Sequence, residues 1–153
     1  MLPTPGKFTL VAGSAEGITR LNAFDNALLT SGIGNLNLLK VSSILPPGAV
    51  EAATVDVEPG SLVPTAYGAI ESDVEGEILA AAVAVGVAAD GGSGVIMEFS
   101  GRCSAQEALE QVEEMTREAF RQRGRQLATI RSLATEHRVG HIGCALAAVA
   151  LWY

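Results

Sequence analysis

Ile78-Leu79-Ala80-Ala81-Ala82-Val83-Ala84-Val85-Gly86-Val87-Ala88 is the stretch on which the fold turns. It is apolar throughout, so a buried strand and a buried helix compete for it. Val83, Val85 and Val87 alternate with small residues, the pattern of a strand covered on both faces, and a strand is the expectation. Asp90-Gly91-Gly92-Ser93-Gly94 follows as a hairpin-type turn. Val95 to Ser100 then reads as the returning strand, with Glu98 the only charge inside it.

On the C-terminal side, Ser104-x-x-Glu107 forms a capping box, in which the serine hydroxyl and the glutamate satisfy orphan N–H groups of the first turn. Ala108, Leu109, Val112, Met115, Ala119 and Phe120 recur at helical spacing and define one apolar face. Glutamates load the first half of this helix and Arg117, Arg121 and Arg123 the second, both suiting the helix dipole, and Gly124 ends it. Thr129 to Val139 and Ile142 to Tyr153 read as two last strands. On the N-terminal side, Lys7 to Ala12 and Val63 to Ser72 read as strands. Thr19 or Asn22 caps a short amphipathic helix carrying Leu21, Phe24 and Leu28, with Gly32 at its end. Leu36 to Leu45 reads as one strand stopped by Pro46-Pro47, since proline has no N–H for a ladder. Residues 47–60 read as loop. Only two helices accompany these many strands. One arrangement that buries the apolar strands is two mainly antiparallel sheets face to face with a helix on each outer face, a four-layer α-β-β-α sandwich of the α+β class.

The chain has 153 residues, enough for one domain with a real core, and 1–153 is read as a single domain. With 48% hydrophobic but only 5% aromatic residues, small methyl-bearing side chains dominate, which suits closely packed sheets. A net charge of −7 excludes the basic face that a nucleic-acid binder uses to neutralise phosphates, and an electrostatic membrane anchor. The two cysteines, Cys103 and Cys144, make no disulfide framework. His137 and His141 lie four apart without a partner that completes a zinc pattern, so no metal is expected. The N-terminus lacks the basic and apolar regions of a signal peptide, and no apolar run reaches the roughly 20 residues of a membrane helix. The expectation is a soluble, reducing, cytoplasmic setting, without nucleic acid or membrane.

Four places can carry chemistry. Ser42-Ser43 before the proline corner is either a hydrogen-bonded polar pair at a strand end or a strained peptide with a hydroxyl beside it. There is no Gly-x-Ser-x-Gly elbow, and neither histidine suggests a triad. If the Ser43 hydroxyl attacks the Ser42 carbonyl, the acyl group moves from nitrogen to oxygen, and elimination and hydrolysis leave a pyruvoyl group; strain and an oxyanion donor serve that step. Glu98 is either an exposed edge carboxylate or a buried one whose desolvation makes it a proton donor. Asp25 is adequately explained as an acid near a helix N-terminus. Asn37 in an apolar strand needs a partner for its amide, and the nearby serines offer one.

These residues lie in stretches that together resemble one family. Leu21-Asn22-Ala23-Phe24-Asp25, Ile33-Gly34-Asn35-Leu36-Asn37-Leu38, Val41-Ser42-Ser43-Ile44 with Pro46-Pro47, Leu62-Val63-Pro64-Thr65-Ala66-Tyr67-Gly68, Ile96-Met97-Glu98, and Cys144-Ala145 with Ala150 to Tyr153 resemble the pyruvoyl-dependent arginine decarboxylases. The resemblance runs from the first strand to the last residue and is weakest at 48–60 and 87–94.

The resemblance implies self-cleavage between Ser42 and Ser43. Residues 1–42 become a β chain, and 43–153 an α chain headed by a pyruvoyl derived from Ser43. It implies an enzyme, a carbon–carbon lyase, in which that ketone forms a Schiff base with L-arginine and accepts the electrons left by departing CO₂. Agmatine, a polyamine precursor, is the implied product. Glu98 matches the family's proton donor, Asp25 the residue that holds the guanidinium, and Asn37 a position implicated in self-processing. The family forms trimers of processed protomers with sites between neighbours. Two other readings stay open: a pyruvoyl decarboxylase of a different amino acid, and an uncleaved, non-catalytic trimeric binding module of the same fold.

Overall fold

The computed structural model describes residues 2–153. Ile78–Ala88 is a strand, and everything else is layered about it. In chain order the elements are β1 (Lys7–Glu16), α1 (Arg20–Ser31), β2 (Asn37–Lys40), β3 (Ile44–Leu45), β4 (Val50–Glu51), β5 (Leu62–Ser72), β6 (Ile78–Ala88), β7 (Gly94–Gly101), α2 (Ala105–Gln122), β8 (Leu127–Arg138) and β9 (Gly143–Trp152). The strands form a five-stranded sheet, β2-β5-β9-β1-β4, and a four-stranded sheet, β3-β7-β6-β8. Among the described residues, only the β1–β4 and β2–β5 pairings are parallel. The others are antiparallel, but of these pairs only β6 and β7 are joined by a short turn; the rest pair segments far apart in the chain.

Each sheet has two apolar faces, and each face has its own cover. Ala81, Val83, Val85 and Ile96 of the four-stranded sheet meet Ala145, Ala147, Val149 and Ala66 of the five-stranded sheet in a shared core. The alternate residues of β6, Ala80, Ala82 and Ala84, turn outward onto Ala108 and Val112 of α2. The alternate residues of β9, Cys144, Leu146 and Ala148, turn outward onto Ala23, Ala27 and Leu28 of α1. This is the α-β-β-α sandwich. The small side chains let the layers approach closely: a Cβ on Gly13 of β1 would stand 2.7 Å from the Ala27 carbonyl oxygen and 2.8 Å from the Ser31 nitrogen of α1.

Both helix starts follow their sequence signals. The Thr19 hydroxyl accepts from the Asn22 N–H and caps α1, and the Ser104 hydroxyl accepts from the Glu107 N–H and caps α2. Gly32 closes α1 in the left-handed conformation, with φ of 87°.

The single strand expected over Leu36 to Leu45 is instead two strands in different sheets. Asn37–Lys40 runs parallel to β5 in the five-stranded sheet, and Ile44–Leu45 runs antiparallel to β7 in the four-stranded sheet. Val41, Ser42 and Ser43 are the crossing between them. The stretch expected as loop also contributes β4, a two-residue pairing with β1.

A buttress far from that crossing holds the two sheets together at the β8–β9 turn. The Glu16 carboxylate, at the end of β1, accepts from the His141 N–H at 2.6 Å and the Gly140 N–H at 3.2 Å, and pairs with His137 Nε2 at 2.5 Å. His137, read as an ordinary turn residue, thus has an acidic partner 121 positions away. Burial by itself pushes the Glu16 carboxyl up. The His141 N–H, the His137 ring and the Gly140 N–H outweigh it, and the carboxyl sits below its ordinary range. A depressed carboxyl stabilises the fold above its unfolded-state value and loses that contribution as pH falls through the folded one. Glu16→Gln is therefore expected to lower the melting temperature near neutrality. The gap to the unsubstituted protein should close as pH drops below about 4, the ordinary glutamate range. A gap that persists undiminished at lower pH in a thermal-unfolding series would contradict the assignment.

Candidate active site

Ser43 is the one non-glycine residue with positive φ among the described residues, at 85°. For a residue with a Cβ this conformation costs on the order of 1–3 kcal/mol, and it persists only where the surroundings impose it. The surroundings do. The chain leaves the five-stranded sheet after Lys40 and enters the ladder of β7 at Ile44, and the Ser43 carbonyl accepts the Ile96 N–H at 2.8 Å. Ser42, its neighbour, is exposed.

Glu98 stands across from it. On β7, Ile96 and Glu98 share the face turned to the opposite sheet, while Met97 and Phe99 turn toward α2. The half-buried Glu98 carboxylate accepts from the Ser43 hydroxyl, Oγ to Oε2 at 3.2 Å. Of the two sequence alternatives for Glu98, exposed edge acid or buried acid, the fold takes neither in full: the side chain turns inward toward the opposite sheet but is only half-buried. The fold brings together two candidates separated by 55 positions.

The other two candidates lie elsewhere in the chain. The Asn37 side chain does not meet the serines: its amide donates to the Gly60 carbonyl at 2.8 Å and its own N–H to the Ser61 carbonyl. It anchors the 48–60 loop to β2, the strand that leads into the crossing. Asp25 is exposed on α1, whose packing face lies on the side of the five-stranded sheet turned away from Glu98. Leu21 and Leu29, one turn before and after it, are 74% and 50% exposed, so Asp25 sits in an uncovered apolar stripe. Beside this helix opens a cavity of about 500 Å³ lined by Arg20, Phe24, Lys40, Tyr67 and Glu71 among others. The Lys40 ammonium lies 4.5 Å from the Tyr67 ring centroid there. Neither Ser43 nor Glu98 lines that cavity.

Other nucleophile chemistry finds no support in the geometry. Burial pushes the Cys144 thiol up to about 12, and burial followed by Glu107 and Glu136 raises that of Cys103, so neither is an activated thiolate. No group of three His, Cys, Asp or Glu residues is placed to hold a metal ion among the described residues. No helix among them is long and apolar enough to cross a membrane.

The residues around position 43 fit a carbonyl prosthetic group made from it. Its backbone carbonyl is already held by the Ile96 N–H, and a carboxylate already faces its side chain.

Comparison with known proteins points the same way. A family model described as pyruvoyl-dependent arginine decarboxylase matches residues 7–153. A Methanocaldococcus jannaschii protein named pyruvoyl-dependent arginine decarboxylase is 52% identical over 150 residues, spanning 97% of this chain and 91% of that protein. A Thermococcus kodakarensis protein of the same name is 44% identical over 151 residues, spanning 98% and 96%. Among solved structures, a pyruvoyl-dependent histidine decarboxylase at pH 8 superposes with a TM-score of 0.50 at 18% identity, over 63% of this chain and 52% of that one. That likeness is one of fold.

Proposed function

The chain belongs to the pyruvoyl-dependent arginine decarboxylase family, and from that membership we propose that it cuts itself between Ser42 and Ser43 and then converts L-arginine to agmatine and CO₂. The family is one of lyases whose prosthetic group is a covalently bound pyruvoyl. Ser43 is its source here. The observation that carries this reading is the strained Ser43, held in the crossing with its hydroxyl on Glu98.

The cutting step follows from the bonds at the crossing. The Ser43 hydroxyl attacks the Ser42 carbonyl carbon, the Ser42–Ser43 C–N bond breaks, and an ester with a free Ser43 amine results. Loss of the Ser43 α-proton and cleavage of the ester C–O bond release the Ser42 carboxylate and leave dehydroalanine. Its imine tautomer takes up water and expels ammonia, leaving the pyruvoyl group. No redox partner is needed. The φ angle of Ser43 is a torsion about a bond to the amide nitrogen shared with Ser42, so breaking that peptide removes the steric cause of the strain. The strain thus favours the cut product.

When formed, the pyruvoyl group offers an electron-accepting ketone to the substrate's α-amine. Glu98, whose carboxylate faces residue 43, is the residue assigned to deliver a proton to the carbon that has lost CO₂. A carboxylate suits the guanidinium at the other end because it takes two N–H groups at once, and Asp25 is the residue assigned to it. Asp25 and Glu98 lie on different sides of one sheet, so the site is completed by a second copy, in line with a trimer whose sites lie between neighbours. The exposed Leu21 and Leu29 on either side of Asp25 supply the apolar frame for that contact.

The decisive experiment is a denaturing gel of the purified protein with an assay of labelled CO₂ from arginine, ornithine, lysine, histidine and aspartate. Two fragments, the smaller from residues 1–42, and a clear preference for arginine are expected. One intact band without turnover would make the chain an uncleaved binding module, and equal release from several amino acids would remove the claim for arginine. Asp25→Asn should raise KM for arginine by about 10- to 100-fold, as removal of a charge-assisted pair of hydrogen bonds does. Co-assembly of Asp25→Asn subunits with Ser43→Ala subunits should restore part of the activity that each lacks. No restoration would place Asp25 and Ser43 of the same chain at one site.

A further inference from the structure

Glu98 faces a gap in the opposite sheet, and Gly68 is what makes the gap. Gly68 lies on β5 between Ala66 and Ile70, whose side chains point into the core between the sheets. The period of two puts position 68 on the same inward face. A Cβ on Gly68 would stand 3.4 Å from Glu98 Cβ and 3.6 Å from Glu98 Cγ. That is van der Waals contact with the stem of the one carboxylate that reaches Ser43. Next to this point the sheets are pinned, since the Ser100 hydroxyl donates to the Ala69 carbonyl at 3.2 Å. The spacing between β5 and β7 therefore cannot widen freely to admit a larger side chain.

We propose that Gly68 is the positioning residue of the decarboxylation step: by presenting to β7 nothing that reaches beyond the space of a single methyl, it sets the depth and direction in which the Glu98 carboxylate meets residue 43. Gly68 has no turn to make and no positive φ to accommodate, so its missing side chain is not explained by backbone conformation. The requirement is for empty volume in front of one acid. A single methyl fits at contact distance. The second and third carbon atoms of a β-branched side chain must occupy the space of the Glu98 stem, and the carboxylate then swings away from its place at Ser43. The inference rests on the assignment of Glu98 as proton donor.

The test uses the full chain in its self-cut form. Gly68→Ala should keep kcat within about threefold, as expected for contact without overlap. Gly68→Val should cut normally and melt as a folded protein, yet lose about 100-fold in kcat, the loss that a misplacement near 1 Å carries, with KM for arginine little changed. Added to Glu98→Gln, the Val substitution should cost almost nothing more, because the group it displaces is already disabled. Should Gly68→Val fail to fold, Gly68→Ser, with one heavy atom beyond the Cβ, is put through the same cycle, where about a 10-fold loss in kcat is expected. A folded Gly68→Val with undiminished kcat overturns the proposal, and so does a loss that multiplies fully with that of Glu98→Gln. Full turnover by Glu98→Gln alone would instead sink the proton-donor assignment, whatever Gly68 does.

Discussion

Ser43→Ala is expected to give one uncut chain with no decarboxylase activity. The substitution removes only an oxygen atom, and the Cβ that makes φ of 85° costly remains, so the strain at position 43 persists in the variant. Strain without a nucleophile breaks nothing. The acyl shift has no other hydroxyl to use at that peptide, because Ser42 precedes the bond that breaks and its own hydroxyl lies on the wrong side of it. Without the cut no ketone forms, and none of the common side chains supplies an electron sink of that kind. The loss of turnover should therefore be complete to the limit of the assay rather than partial. The fold should survive, since Ser43 is anchored through its backbone carbonyl to the Ile96 N–H, which alanine retains. A gel with two fragments from this variant would show that the bond is cut by another group. A melting temperature far below that of the unsubstituted chain would mean that the hydroxyl-to-Glu98 bond has a structural role larger than its 3.2 Å contact implies.

Glu98→Gln is expected to separate the two reactions of the same site. Glutamine keeps the length of the side chain and an oxygen that accepts from the Ser43 hydroxyl, so the contact that orients Ser43 remains and cutting should proceed. A neutral amide delivers no proton, and turnover should fall by about 10²- to 10⁴-fold, the usual contribution of a positioned general acid. The fall should be in kcat, with KM less affected, because Glu98 faces residue 43, the proposed source of the reacting group, and not the guanidinium site proposed at Asp25. Glu98→Asp supplies the control. It restores a titratable group on a stem one carbon shorter and should recover part of the lost rate. A fully active Glu98→Gln would remove Glu98 from the chemistry of turnover. An uncut Glu98→Gln would assign the carboxylate to the cutting step as well.

The local signals in the chain were sound wherever the physics is local. The alternation of Val83, Val85 and Val87 placed β6, and its bounds are those read from the sequence. The Ser104–Glu107 box placed the start of α2, and of the two caps the sequence offered for α1, Thr19 and Asn22, the structure takes Thr19. Capping is settled by residues three or four apart, and periodicity gave the packing face of α2; in α1 it misplaced Leu21, which is 74% exposed while Ala23, Ala27 and Leu28 make the contact with the sheet. The crossing at Val41–Ser43 was not legible in the same way. An apolar run from Leu36 to Leu45 looks continuous, and nothing in its composition says that Leu38 pairs with Val63 in one sheet while Ile44 pairs with Val95 in the other. β4 was missed for a related reason: two residues leave no periodicity to read.

The same division runs through the site. The sequence by itself determined the residue types: a serine pair beside prolines, an acid alone in an apolar strand, a glycine in the motif of β5, and a family resemblance that joined them. Only the tertiary structure decided their relations. It put Ser43 in the passage between two sheets and bent its φ to 85°, set its hydroxyl against Glu98, turned Asn37 away to Gly60, and left Asp25 on the far side of a sheet. The reason is physical. Side-chain identity fixes what a group can do with a proton or a charge. Which group it meets depends on strand pairing between segments tens of residues apart, and that pairing is settled by burying apolar faces across the whole domain, not by the residues of the site.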